Sequence, residues 1–200
     1  MSGLMHDLRT PLSIIRGFVQ LMEMSEDAQL RSEHAQTVTE QFGAISNMQR
    51  DVLAYARGDT SLLLRKVYVA NLLRDVQKKR VAAFHSEGIE LKVDAEVRCK
   101  AYLDEGKIKR AIYNLVQNAK EALAKSKKGR ITLGCFCRED QVVISVKDNG
   151  RGIDPGIRER LFEPFVTKGK VDGTGLGLAA VDSIVRAHGG RVEVESGGRG

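Results

Sequence analysis

Ile131-Thr-Leu-Gly-Cys-Phe-Cys137, then Arg138-Glu-Asp140, then Gln141-Val-Val-Ile-Ser-Val-Lys147 is the stretch that decides the fold. Two runs with apolar residues at alternate positions, joined by three polar residues, leave no room for a crossover, so they predict an antiparallel hairpin with one buried face. Working outward, Asp104 to Lys125 reads as a strong helix, preceded by strands at Ile89 to Val93 and Val97 to Tyr102. Earlier still, Arg65 to Val69 reads as a short strand and Ala70 to His85 as a helix. On the other side, a glycine-rich irregular stretch from Asp148 to Thr174 leads into a helix from about Leu176 to His188 and a strand at Arg191 to Glu195. The expectation is an α/β sandwich over residues 59–200, with helices on one face of a mixed sheet, in a chain of class α+β.

Residues 1–58 carry a different period. Leu8, Leu12, Ile15, Val19 and Met22 recur at alternating spacings of four and three, the seam of a helix that packs lengthwise on another. After a polar break from Ser25 to Ser32, Ala35, Val38, Phe42, Ile45 and Val52 resume the pattern, with Gln49 as its polar member, and the helix is expected to end near Arg57-Gly58. Two helices cover so narrow a seam poorly, which points to two hairpins pairing into a dimeric four-helix bundle. The plainer alternative is a monomeric helical hairpin docked on the sandwich.

Composition sets the outer limits. With 42% hydrophobic and 29% charged residues the chain is of ordinary globular composition. No run approaches the roughly 18 apolar residues of a membrane span, and no signal sequence opens the chain. A net charge of +6 is scattered rather than gathered into a basic arm, so neither nucleic acid nor a membrane surface is an expected partner. Cys99, Cys135 and Cys137 are odd in number and lack ligand-type spacing, and are read as reduced core or strand residues.

Three patterns in the sandwich carry chemistry. Asn114-Leu-Val-Gln-Asn118 places two carboxamides on one helical face, where their oxygens suit a hard cation such as Mg²⁺ that also keeps water and phosphate oxygens. Asp148-Asn-Gly150-Arg-Gly152 follows a strand, with a carboxylate able to accept from an exocyclic amine and glycines that let the chain turn beneath a ring. Gly173-Thr174-Gly175-Leu176-Gly177 opens the last helix, where bare backbone N–H groups and the helix N-terminus favour phosphate. Each alone is ordinary: a polar helix face, a turn, a glycine loop. The last is not the fingerprint of a dinucleotide fold, because no first strand of a βαβ unit precedes it, and no GxxxxGK[ST] occurs.

With Leu161-Phe-Glu-Pro-Phe165 added, the order and spacing of these segments resemble the N, G1, F and G2 boxes of the histidine kinase ATP-binding domain. The resemblance implies the Bergerat fold shared with gyrase and Hsp90, with ATP between the N-box helix and a lid. It implies that Asn118 ligates Mg²⁺, that Asp148 reads adenine with Gly150 and Gly152 beneath it, and that Gly173, Thr174, Gly175, Leu176 and Gly177 surround the phosphates. Phe162, Phe165 and Lys168 fall on or beside the lid. Where related ATPases carry a glutamate this chain has Asn114, and an amide cannot act as the base that activates water, so ATP is kept for transfer.

His6-Asp-Leu-Arg-Thr10-Pro11-Leu resembles the H box of histidine kinase dimerisation domains. The heptad independently sets His6 at a b position, off the seam. Asp7 can accept the imidazole N–H and so fix the tautomer, against the plain reading of a first-turn helix charge. Thr10, one turn on, is the candidate phosphatase residue, and Pro11 removes the partner of the Asp7 carbonyl, so the helix can bend there. The resemblance implies a homodimeric, cytoplasmic autokinase that uses Mg-ATP to phosphorylate His6 and passes the phosphoryl group to an aspartate of a response-regulator receiver domain. Its rivals are a non-catalytic scaffold and an ATPase of the gyrase or Hsp90 type. The chain starts five residues before His6 and ends at Gly197-Gly-Arg-Gly200, so the expectation is a trimmed chain with a short first helix and a sheet lacking an edge strand.

Overall fold

The computed structural model describes residues 2–57, 61–123, 128–139, 141–166 and 175–197, side chains at 2–8, 44, 47, 48 and 50–57 excepted. The chain divides into two compact units, residues 1–59 together with 163–176, and 60–162 together with 177–200.

In the first unit, α1 (Ser2–Met24) and α2 (Ala28–Arg57) pack on each other as the hairpin the heptad predicts. The break is shorter than expected because Asp27 caps α2: its Oδ1 accepts the N–H groups of Gln29 at 2.7 Å and Leu30 at 3.3 Å, so the helix resumes at Ala28. α1 runs through Pro11, which is fully buried. The seam is only partly covered: Leu12, Val19 and Phe42 remain 54%, 40% and 55% exposed.

The second unit is the sandwich. It contains β1 (Arg65–Tyr68), α3 (Val69–Ser86), β2 (Ile89–Ala95), β3 (Lys100–Leu103), α4 (Glu105–Ala122), β4 (Gly129–Arg138), β5 (Gln141–Asp148), a 3-10 turn (Pro155–Arg160) and α5 (Gly177–Ala187). The hairpin forms as expected, β4 against β5 with Ile131 opposite Asp148 and Arg138 opposite Gln141. Its connection is tighter than three residues, with Glu139 in the left-handed region at φ 51°. β2 runs parallel to β4, completing a mixed three-stranded sheet.

Three expectations are corrected. Among the described residues the strands form two sheets rather than the one mixed sheet expected, because a turn at 96–99, closed by the Cys99 N–H donating to the Glu96 carbonyl at 3.2 Å, redirects the chain so that β3 pairs antiparallel with β1. Arg191 to Glu195 is not a strand. Its exposure alternates as the sequence suggests and Val192 packs on the core, but the run has no ladder partner among the described residues, and alternation reports a half-buried extended chain whether or not a neighbour supplies hydrogen bonds. The third concerns the cysteines: Cys99 and Cys137 are joined as a disulfide, with Cα atoms 5.7 Å apart, while Cys135 is a buried free thiol.

One apolar cluster holds this unit together. Leu72, Leu73, Val76 and Phe84 of α3, Ile108, Ile112 and Val116 of α4, and Val181 and Ile184 of α5 meet Leu91, Ile131 and Leu133 of the sheet. The α4 helix begins at Asp104, whose Oδ1 accepts the Lys107 N–H at 3.0 Å. The α5 helix ends in paired glycine bonds, Gly189 N–H to the Arg186 carbonyl and Gly190 N–H to the Val185 carbonyl, with Gly189 at φ 73°. Among the described residues no helix is long and apolar enough to cross a membrane.

Candidate functional site

α4 and α5 pack against each other, and two hydrogen bonds pin them at the two ends of α5. Midway along α4, Asn114 Nδ2 donates to the Gly177 carbonyl at 3.1 Å, where α5 begins. At the other end His188, just past α5, accepts the Asp104 backbone N–H on Nε2 at 2.9 Å, and its Nδ1–H donates to the Ile184 carbonyl at 2.8 Å. Using both ring nitrogens this way requires the neutral imidazole protonated at Nδ1. His188 thereby sets the position of the asparagine helix relative to the glycine-led helix.

Asp104 joins a third element. Its Oδ2 accepts the Leu63 N–H at 3.1 Å, and Lys107 Nζ donates to the Ser61 carbonyl at 2.6 Å, so the chain entering the sandwich is held on the first turn of α4. Backbone donation from Lys107 is the main cause that holds the Asp104 carboxyl below its ordinary value; donation from Leu63 adds to it and partial burial opposes it.

Asp148 ends β5, and its Oδ1 accepts the Gly150 N–H at 2.9 Å, leaving Oδ2 as the second acceptor of the carboxylate. Gly150 lies against α4: a Cβ there would sit 2.8 Å from the Ala122 backbone, and the next residue, Arg151, donates to the Ala122 carbonyl at 3.2 Å. Glycine is therefore required by close approach, while Gly152, at φ 72°, is required by conformation. Asn149, unremarked in the sequence, braces this turn by accepting from Arg130 N–H at 2.7 Å and donating to the Lys128 carbonyl at 3.0 Å. Ser196 Oγ accepts from Ile153 N–H at 3.1 Å, which ties the last described residues to the same turn.

The second unit thus brings together Asn114, Gly177, Asp148 and Gly150 around α4, with Asn118 half-buried one turn past Asn114 and Phe162 half-buried after the 3-10 turn. In the first unit, Phe165 N–H donates to the Gly175 carbonyl at 3.0 Å. Phe165 itself takes a left-handed backbone, φ 66°, and a Cβ on Gly175 would meet the Phe165 backbone at 2.6 Å. Leu176 is buried and Thr10 half-buried. The side chains of His6 and Asp7, and Lys168, Gly173 and Thr174 altogether, lie outside the described residues.

An adenine nucleotide suits this chemistry: a strand-end carboxylate with one oxygen uncommitted to the turn, positions where a side chain is excluded, and the N-terminal amides of α5. Mg²⁺ suits it conditionally. Asn114 and Asn118 offer neutral carboxamide oxygens, which do not balance a divalent charge, so phosphate oxygens have to complete the coordination.

The chain is similar to known proteins over most of its length. Residues 1–61 match the model of the His Kinase A (phospho-acceptor) domain, and residues 103–200 that of the histidine kinase-, DNA gyrase B- and HSP90-like ATPase. The chain is 29% identical to the signal transduction histidine-protein kinase AtoS of Escherichia coli (strain K12), over 98% of this chain and 32% of that protein. It is 34% identical to the sensor protein IrlS of Burkholderia pseudomallei (strain K96243), over 98% and 43% respectively. Among solved structures it matches histidine kinase AdeS of Acinetobacter baumannii with a TM-score of 0.74 at 22% identity, covering 97% of this chain and 92% of that one. It matches full-length ShkA in complex with AMPPNP with a TM-score of 0.69 at 31% identity, covering 97% and 42%. The chain spans about a third to under a half of the length of these curated relatives. With a phosphoacceptor domain followed by an ATPase-type domain, in the order its motifs predict, this chain belongs to the sensor histidine kinases.

Proposed function

We propose that the chain is the catalytic part of a protein histidine kinase that transfers the γ-phosphoryl group of Mg-ATP to His6 and then to an aspartate of a response-regulator receiver domain. The observation that carries the reading is Asn114: an amide rather than a carboxylate stands in the site, and it is already committed through Nδ2 to the Gly177 carbonyl. It can position or ligate but cannot take a proton from water, so the site favours transfer over hydrolysis.

In this reading Asp148 orients the adenine and the α5 N-terminus holds phosphate. Asn118, with Asn114 beside it, supplies Mg²⁺ ligands, and the cation offsets charge on the transferring group when bound. Asp7 holds the proton on one imidazole nitrogen of His6 so that the other attacks phosphorus in line with the departing ADP oxygen. Thr10 positions water against the phosphorylated aspartate of the partner, making the enzyme a phosphatase in its other state. Gly150, Gly152, Gly173, Thr174, Gly175, Leu176 and Gly177 with Phe162, Phe165 and Lys168 complete the nucleotide site. Residues 1–58 form the phosphoacceptor and dimerisation domain and residues 59–200 the ATP-binding domain. Homodimerisation is supported by the open seam of Leu12, Val19 and Phe42, and a cytoplasmic location by the need for ATP.

Incubation with γ-labelled ATP and Mg²⁺ tests the assignment. The expected product is an acid-labile, base-stable label on His6, lost in His6→Gln while ATP binding persists. Steady phosphate release from His6→Gln at the wild-type rate would reject the transfer reading in favour of an ATPase, and ATP binding with no phosphoprotein would favour a scaffold.

A further inference from the structure

The three cysteines converge at one end of the sandwich, away from the residues of the nucleotide site. Ala95, at the end of β2, lies opposite Cys135 of β4, and the next residue, Glu96, donates its N–H to the Cys135 carbonyl at 2.9 Å. The turn at 96–99 then folds Cys99 back over β4, bringing its Cα within 5.7 Å of that of Cys137, inside the range a disulfide spans without backbone movement. Cys135 is on the same face as Cys137, two residues earlier, yet stays unbridged.

The three sulfurs differ in access and chemistry. Cys99 is fully buried and Cys137 exposed. Cys135 is buried, and desolvation first and the Glu96 charge second push its thiol up to about 11, so it carries almost no thiolate at neutral pH. Of the three, only Cys137 meets a dissolved reagent directly.

We propose that Cys99 and Cys137 form a reversible dithiol–disulfide site for low-molecular-weight disulfides of the glutathione class, with Cys137 reacting first and Cys99 resolving. From the reduced pair, the Cys137 thiol loses its proton and attacks one sulfur of the dissolved disulfide, forming a mixed disulfide and expelling one thiolate. The Cys99 thiol then loses its proton and attacks the Cys137 sulfur, closing the protein bridge and expelling the second thiolate. The two expelled thiolates take up the two protons. Two protein thiols are oxidised, and one dissolved disulfide is reduced to two thiols.

The bridge closes a ring across a sequence separation of 38, and the whole of α4, with Asn114 and Asn118, lies inside it. A ring of that size restricts the unfolded chain enough to favour the folded unit on the order of several hundred-fold by the loop-entropy relation. The bridge is also remote from the Asp148 turn: Cys137 lies opposite Val142, and Ile131, which lies opposite Asp148, is six residues along β4, roughly 20 Å away at the rise of a strand. Oxidation therefore changes how firmly the asparagine helix is held in a folded domain without altering the groups that meet a nucleotide.

The test uses the full chain, treated with oxidised glutathione or with dithiothreitol, then unfolded, alkylated with iodoacetamide and weighed. Three alkylated cysteines are expected after reduction and one, Cys135, after oxidation, with a higher melting temperature for the oxidised form. Cys137→Ser and Cys99→Ser each remove that difference and Cys135→Ser keeps it. Cys99→Ser accumulates a glutathione adduct on Cys137, whereas Cys137→Ser gains none on Cys99. The proposal is overturned by three alkylated cysteines in both states, or by a melting temperature indifferent to redox treatment. The side-chain donor atoms of Glu96, Cys99 and Cys137 lie within 4.8 Å of one another, so one equivalent of zinc that protects the reduced pair from both glutathione and alkylation would make this a cation site and equally overturn it.

Discussion

The hairpin and the sandwich solve the same problem, burying apolar side chains, to very different extents. In the sandwich, Leu133, Ile131, Val76 and Leu73 are wholly buried in one cluster fed by three helices and the three-stranded sheet. Among the described residues of the hairpin only Pro11 is buried, and Leu12 and Phe42, on the predicted seam, are more than half exposed. Two helices have one line of contact; a sheet offers a face. The sandwich is therefore self-sufficient, and the hairpin is a half-interface that a second copy completes under the proposed dimer.

The largest effect is expected from treating both regions alike. Leu133→Ala should cost the sandwich about 2–5 kcal/mol, because it removes packed side-chain volume at a site with no exposure. Leu12→Ala should leave the melting of the sandwich unchanged and instead raise the concentration at which the chain dissociates, read by sedimentation. Equal destabilisation by the two would show that the hairpin has a core of its own.

Within the sandwich the contrast is between positions fixed by backbone contact and positions fixed by hydrogen bonds. Gly150→Ala places a methyl group 2.8 Å from the backbone of Ala122, so the Asp148 turn or the end of α4 has to shift. A loss of about 1–3 kcal/mol in stability is expected from such overpacking, together with weaker binding of a fluorescent ATP analogue. Unchanged nucleotide affinity in a destabilised protein would separate the turn from the site.

His188 gives a finer test. Asn can reproduce its Nδ1 donor but cannot reach the Asp104 N–H, whereas Gln places an oxygen near the position of Nε2. His188→Asn should cost about 1–3 kcal/mol by leaving a partly buried N–H without its acceptor, and His188→Gln should recover much of it, as measured by denaturant unfolding. Identical losses would make the imidazole mere packing.

Asp104 extends the comparison to pH. Its folded pKa lies below the ordinary value of 3.8, so its contribution is fully present above that value and is lost as pH falls through the folded pKa. The group is partly exposed, and the whole effect should stay near the roughly 1 kcal/mol of a helix cap. Below about pH 4, thermal melts of Asp104→Asn should lose less stability than those of the parent; parallel curves would remove Asp104 from the acid response.

What could be read from the sequence follows the same division. Periodicity located both helices of the hairpin and the β4–β5 pair, since those signals are local. The motif residues Asn114, Asp148 and Gly150 were legible as types at spacings. Their braces were not, because each depends on a residue distant in sequence: His188 bonds 84 positions away, Asn149 reaches back across β4 and β5, and Cys99 meets Cys137 only after the 96–99 turn redirects the chain. The false strand at 191–195 shows the converse, a correct local alternation with no neighbour to pair it.

The smallest effect is expected at Gly177, and it discriminates between two reasons for a glycine. A Cβ there would lie 3.9 Å from Asn114 Cγ, ordinary contact, and its backbone is not left-handed, unlike Gly175. Nothing among the described residues then requires glycine at Gly177, and replacing it in the first turn of α5 should be neutral or stabilising by up to about 1 kcal/mol. If the residue is glycine so that backbone amides can approach phosphate, Gly177→Ala should melt no lower than the parent yet bind the ATP analogue more weakly. A variant unchanged in both would place the phosphate contact elsewhere along the α5 N-terminus.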